Sequence, residues 1–170
     1  MSAYPTHPVV GVGIVLFDAL GRVLLIRRGK PPRLGEWSLP GGRQELGETI
    51  ETTARRELLE ETGCTAGRLR LVEVVDSITR DDEGRVRFHY TLVDFCGHHA
   101  DGEARPDTDA TEVAWAAPDA LASYRLWART TEIIERGRAL LAHPTGCPPS
   151  QAPPPPASAE AGASAVVRRA

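Results

Sequence analysis

The sequence predicts an α/β (α+β) domain in which helices pack on a mixed sheet, and three observations lead there. Apolar, β-prone runs precede and separate two helix-length segments. The first run, VVGVGIVLF, is apolar throughout, as a buried strand tends to be. Two other segments repeat their apolar residues at helical spacing.

In chain order, Val9 to Phe17 and Val23 to Arg28 read as strands joined at the turn DALG, with Asp and Gly suitably placed. Ile50 to Thr62 reads as a helix. Thr49 is placed to cap its start, Glu51 suits its first turn, and Gly63 offers a left-handed residue to end it. Leu69 to Ile78 and Val86 to Phe95 read as a hairpin across RDDEG, and TEVAWA near Val113 as a shorter strand. A second helix is predicted from about Trp127 to Leu141, with Trp127, Ile133, Ile134, Leu140 and Leu141 at helical spacing. The domain is expected over residues 8–142. Residues 143–170 are rich in proline, alanine and serine, and are read as a disordered tail because they hold little to bury.

Composition narrows the classes. The 170 residues are enough for one core, and 41% hydrophobic with 25% charged residues is ordinary for a folded soluble domain. A formal net charge of -3 does not favour a nucleic acid polymer as partner. Cys64, Cys96 and Cys147 have no metal-ligand spacing, and their odd number argues against a disulfide framework, so a cytoplasmic setting is expected. The best apolar run is nine residues, against about 20 needed to span a bilayer, so no membrane partner is expected.

The stretch GGRQELGETIETTARRELLEETGC raises the functional question. Successive helix residues turn by about 100°, so Glu57, Glu60 and Glu61 share an arc of roughly 100°. That arc borders the stripe of Ile50, Ala54 and Leu58 expected to face the sheet, while Glu51, Thr52, Arg55 and Leu59 lie on the far side. Partly buried like charges raise one another's pKa unless a cation compensates them. Arg56 can partner one of them, most simply Glu60 at i, i+4, which leaves the cluster negative. Hard divalent cations take oxygen ligands, so Mg²⁺, or Mn²⁺ in its place, is the expected occupant. Upstream, the paired glycines of WSLPGG allow backbone to approach a ligand or metal closely.

The run from Gly42 through Glu48, Arg56-Glu57, Leu58, Glu60-Glu61 and Gly63 resembles the Nudix box. Cys64 stands where an aliphatic residue is usual, and serves there as a small hydrophobe. The likeness extends in strand and helix order over most of residues 8–142. It implies a three-layer α/β/α sandwich whose box forms a loop-helix-loop, and hydrolysis of a nucleoside diphosphate linked to another group. By position, Glu57, Glu60 and Glu61 would be metal ligands, with the Gly41 carbonyl a further one. Arg56 would orient a glutamate, Glu48 would support the box or reach metal through water, and Gly42 and Gly63 would shape its ends. Many relatives pair as dimers, so a homodimer is a further expectation.

Metal-assisted attack of water on a diphosphate needs a proton acceptor. Glu57 is the first candidate, and Asp109 and Glu112, before Trp115, are alternatives. Arg28 or its neighbour Arg27, ending a strand, is placed to grip phosphate. Trp37 and Tyr90 are candidates to stack on a base or ribose-linked group. His98 and His99 lack a further ligand at suitable spacing and read as a polar loop, and His89 as a strand residue. GEWSLPGG with HYTLVDF is similar to bacterial ADP-ribose pyrophosphatase-like members, which makes ADP-ribose or an ADP-sugar the leading substrate. The proline usual about fifteen residues past the box is absent, Thr79 and Arg80 standing there. A nucleoside triphosphate cleaved to monophosphate and pyrophosphate is the nearest rival. A non-catalytic nucleotide-sensing or interaction module is the alternative from another class. A prenyl diphosphate isomerase, which shares the fold, would need a reactive cysteine, and Cys64 and Cys96 read as packed.

Overall fold

The computed structural model describes residues 3–31, 33–107 and 109–143, so the expected tail lies outside the described residues from 144 onward. Eight strands and two helices follow one another as β1 (Val9–Phe17), β2 (Val23–Arg28), β3 (Trp37–Ser38), β4 (Gly41–Arg43), α1 (Ile50–Thr62), β5 (Thr65–Ala66), β6 (Arg70–Arg80), β7 (Val86–Asp101), β8 (Ala110–Ala116) and α2 (Ala128–Ala142). A 3₁₀ segment, Pro118–Tyr124, precedes α2.

The strands form one mixed sheet, with β1 at its centre. β1 runs parallel to β7, from Val9 opposite Tyr90 to Phe17 opposite His98. Its other side is shared. β4 pairs antiparallel with the first half, and β2 meets it only where Phe17 faces Val23. The two strands joined at the DALG turn thus part at once, and β2 continues between β3 and β8. The divergence opens the space that α1 and β4 occupy.

Strand alternation sends the side chains of β1 to two cores. Val12, Ile14 and Leu16 pack with Leu24, Ala54, Leu58, Val93 and Phe95 on the α1 side. Val15 and Phe17 pack with Val23, Leu25, Cys96, Ile133 and Ile134 on the α2 side. A strand buried on both faces explains why this run reads as unbroken apolar sequence. Helix, sheet and helix make the three layers expected.

The second hairpin is longer than the sequence suggests, with β7 reaching Asp101 and register shifts in β6 at Leu71/Glu73 and Thr79/Arg80. His98 and His99 therefore lie in a strand, not a loop. His99 packs edge-on to Trp115 at 5.4 Å, and its Nε2 lies 2.9 Å from the Gly102 carbonyl. Among the described residues, no helix is long and apolar enough to cross a membrane.

Candidate active site

Both ends of α1 are set by their expected residues. The Thr49 hydroxyl accepts from the Thr52 amide at 3.1 Å, and Gly63 closes the helix in the left-handed region at φ 69°. The helix packs on β1 and β4, and the glycines of β4 decide how closely. A side chain on Gly42 would collide with the Glu57 carboxylate, and one on Gly41 with the Val12 carbonyl. Bare backbone here lets two acids of the helix lie against the strand. The Gly41 amide donates to Glu61 Oε2 at 2.8 Å.

Arg56 and Glu48 tie the incoming loop to the helix. Arg56 donates through Nε and Nη2 to the two oxygens of Glu48 at 2.7 and 3.0 Å. Its Nη1 reaches Glu57 Oε1 at 2.9 Å and Glu60 Oε2 at 3.1 Å, the i, i+4 partner expected. Glu48 also accepts from the Thr53 hydroxyl and the Glu45 amide. Its carboxyl is held down to about 2, chiefly by the Arg56 hydrogen bonds. Arg56 is raised in turn.

The other carboxylates go the opposite way. Glu61 is 5% exposed, and burial pushes its carboxyl up to about 7, with the charges of Glu57 and Asp109 acting in the same sense. The Gly41 amide and the charge of Arg28 only partly offset this. Glu57 is raised by burial, against the opposing pull of Arg56. Burial first, and then repulsion from neighbouring acids, disfavours the charge on both acids.

Glu57 and Glu61 open on a cleft of about 1100 Å³ that also takes in Arg28, Lys30, Arg33, Tyr90, Asp109 and Arg129. Arg28 reaches it because alternation along β2 puts it on the α1 face with Leu24 and Ile26. The backbone carbonyl of Asp109 accepts from the Gly29 amide at 2.7 Å, which fixes the segment before β8 beside the end of β2. The Asp109 carboxylate pairs there with Lys30.

Several expected site residues fall elsewhere. Glu60 is exposed at 48% of its side chain and faces Arg56, not the cleft. Glu112 stands opposite Arg27 of β2, in an ion pair with Arg27 Nη1 at 2.6 Å, and does not line the cleft. Trp37 does not line it either. Its ring stands edge-on to Tyr124 at 5.0 Å and packs against the α2 core. Trp127, expected within the second helix, is its N-cap residue, 42% exposed at the cleft mouth with the Arg33 guanidinium 4.7 Å from its ring centre. Asp94, Arg129 and Lys30 line the cleft and were not singled out in the sequence. For Asp94 a signal existed, a lone acid inside the apolar run TLVDFC.

A mixed sheet between two helices, with a Gly-Gly strand pressed against a glutamate-bearing helix beside a cleft lined by both signs of charge, defines a phosphate-handling α/β/α domain. The NUDIX domain profile matches residues 7–137. Over 107 residues the chain is 39% identical to the ADP-ribose pyrophosphatase of Methanocaldococcus jannaschii, a match covering 62% of this chain and 60% of that protein. It is 39% identical over 115 residues to a MutT-like protein of Streptomyces ambofaciens, covering 68% of this chain and 67% of that one. The crystal structure of a MutT NUDIX hydrolase from Burkholderia pseudomallei superposes with a TM-score of 0.66 at 32% identity, covering 76% of this chain and 98% of the other. The chain belongs to the Nudix hydrolase family. It spans about three fifths of the length of its archaeal relative.

Nudix hydrolases generally use divalent metal ions. Among the described residues, no three His, Cys, Asp or Glu side chains converge closely enough to hold one as they stand. The donor chemistry nevertheless fits. Glu57 and Glu61 are hard oxygen donors on one cleft wall, and their raised pKa values are what a cation would reverse.

Proposed function

We propose that the chain hydrolyses the diphosphate bond of a nucleoside diphosphate linked to another group, ADP-ribose or an ADP-sugar first, giving AMP and a sugar phosphate. The observation that carries this is one cleft holding opposite charges. Half-buried Glu57 and buried Glu61 stand on one wall, and Arg28, Lys30 and Arg33 reach the same space. The identity to a relative named ADP-ribose pyrophosphatase supports the choice of substrate.

Arg28 and the neighbouring cations bind the diphosphate oxygens and compensate their charge. Glu57, Glu61 and the Gly41 carbonyl would hold Mg²⁺ or Mn²⁺, with Glu60 the remaining candidate. When bound, such an ion neutralises the diphosphate and lowers the pKa of water. Glu57 takes the proton of the attacking water. Its Oε1 accepts from Arg56, which leaves Oε2 for the proton, and with Glu57 as the base the ion would rest on Glu61 and the Gly41 carbonyl. The water oxygen forms the new P–O bond as the anhydride P–O bond breaks, and the leaving phosphate departs with the bonding pair. Glu48 acts at one remove, fixing Arg56 and through it the Glu57 carboxylate. Cys64 and Cys96 are buried free thiols, which suits a cytoplasmic enzyme.

The test is a panel of ADP-ribose, NADH, diadenosine polyphosphates and nucleoside triphosphates, assayed with Mg²⁺ and then Mn²⁺, with products identified. AMP and ribose phosphate from ADP-ribose are expected. Monophosphate and pyrophosphate from triphosphates alone would replace the substrate reading, and binding without turnover across the panel would overturn the enzyme.

A further inference from the structure

The cleft continues beyond the carboxylates across the face of the sheet turned toward α2. A straight row crosses three strands there, because Gly13 of β1 stands opposite Gly41 of β4 on one side and opposite Asp94 of β7 on the other. Two ladder steps put the Asp94 backbone about 10 Å from the Gly41 backbone, whose amide holds Glu61. A ligand with its phosphates at Glu61 would span that distance with its sugar and bring its base to Asp94.

The Asp94 carboxylate lines the cleft, and among the described residues no hydrogen bond or ion pair reaches it. Burial pushes it up to about 6. Two charged groups act on it electrostatically, Arg129 of α2 and Glu73 of β6, and these neutralise each other in an ion pair at 2.5 Å. Asp94 is therefore a half-buried acceptor, open to the cleft, that no donor of the described residues reaches. Its room comes from β1, since a side chain on Gly13 would overlap Asp94 Oδ1. One on Gly11 would press on Leu92 Cδ2 at 3.0 Å, beside Tyr90. The GVG of the first strand thus lays a side-chain-free floor, with Leu92 and Tyr90 beside it as apolar surface for a flat ring.

We propose that Asp94 reads the nucleobase, its carboxylate accepting a hydrogen bond from the exocyclic amino group of a purine, so that the cleft takes adenine or guanine nucleotides in preference to hypoxanthine ones. An ionised carboxylate only accepts, and phosphates offer it nothing. The amino group of a base is a donor at the far end of the ligand. Hypoxanthine replaces the 6-amino group of adenine with a keto oxygen and lacks the 2-amino group of guanine, so a carboxylate aimed at the amino position meets lone pairs, and the N1–H that hypoxanthine keeps lies one ring atom away. Sites built around a buried hydrogen bond discriminate strongly against analogues that cannot complete it. This inference rests on the cleft being the nucleotide site proposed above.

Binding of AMP, GMP and IMP to the full chain, measured by calorimetry, tests it without requiring turnover. The wild type should bind AMP and GMP roughly ten- to a hundredfold more tightly than IMP, the range for a hydrogen bond to a charged group. In Asp94→Ala the three should fall within about threefold of one another, the donor preference having gone. Asp94→Asn should do the same, because its amide turns to offer N–H to the keto oxygen. Both variants lose a desolvated charge and should unfold at or above the wild-type temperature. Equal binding of AMP and IMP by the wild type would overturn the assignment. So would a wild-type ratio preserved in Asp94→Ala. Discrimination that holds while ADP-ribose is not cleaved would leave Asp94 in place and remove only the substrate reading.

Discussion

Replacing Glu61 by glutamine should stabilise the metal-free protein while abolishing turnover, and the size follows from the site. The carboxyl moves from an ordinary 4.5 to about 7 on folding because burial disfavours its charge. The folded state therefore holds a proton that the unfolded chain has released, and stability falls as pH rises from 4.5 through about 7. At about 1.4 kcal/mol per pH unit, that shift sets a ceiling of about 3 kcal/mol on the cost of the charge at pH 8 or so. Glutamine keeps the shape and an oxygen to accept from the Gly41 amide, and removes that cost. For a domain of this size the gain corresponds to roughly 5–10 °C in Tm. Thermal unfolding in a chelator, followed by circular dichroism for both proteins at about pH 5 and pH 8, measures it. The variant should melt higher at the upper pH, and the two curves should converge at the lower one, where Glu61 is protonated in the wild type. A variant no more stable at the upper pH, or equally more stable at both, would refute the argument that this acid is held against its charge.

Gly42→Ala should cut turnover roughly a hundredfold, the scale expected when a group acting at the reaction centre is displaced, because its methyl would strike the Glu57 carboxylate; steady-state kinetics with a check of folding reads this out. Arg56→Lys loses the fork that grips both oxygens of Glu48. Glu48 stabilises the fold above its unfolded pKa of 4.5 and loses that effect as pH falls toward about 2, so the variant should unfold at a higher pH in an acid titration. Leu58→Ala removes a fully buried side chain from the core beneath α1 and should cost about 2–5 kcal/mol in urea unfolding, with activity falling alongside stability.

Much of this architecture is legible in the sequence, for local reasons. Thr49 and Gly63 fix the ends of α1 through their own chemistry, so its span can be read without tertiary information. The limits of β1 and β2 are set by the Asp18 to Gly21 turn, where Asp18 accepts from the amides of Leu20 and Arg22. β3, β4 and β5 hold only two or three residues each and exist because neighbouring strands pair with them, which no periodicity announces. Within the site, the box acids were readable because their spacing on a helix implies their arc. Their division was not, since Glu57 and Glu61 turn inward while Glu60 stays with Arg56. Trp37 and Trp127 show the same limit. An aromatic beside a glycine loop packs in the core against Tyr124, and one at helical spacing caps the helix at the cleft mouth, placements set by tertiary packing and not by local sequence. Arg27 and Arg28 are neighbours in sequence, and strand alternation gives one to Glu112 and the other to the cleft.

The central claim is that buried acids of the box hold a divalent cation where a diphosphate is cut. A crystal soaked with Mn²⁺ and a non-hydrolysable ADP-ribose analogue, with anomalous differences collected at the manganese edge, tests it most directly. A manganese peak within ligand distance of Glu57, Glu61 and the diphosphate oxygens is the expected result. Analogue density in the cleft with no manganese peak beside those two carboxylates would contradict it.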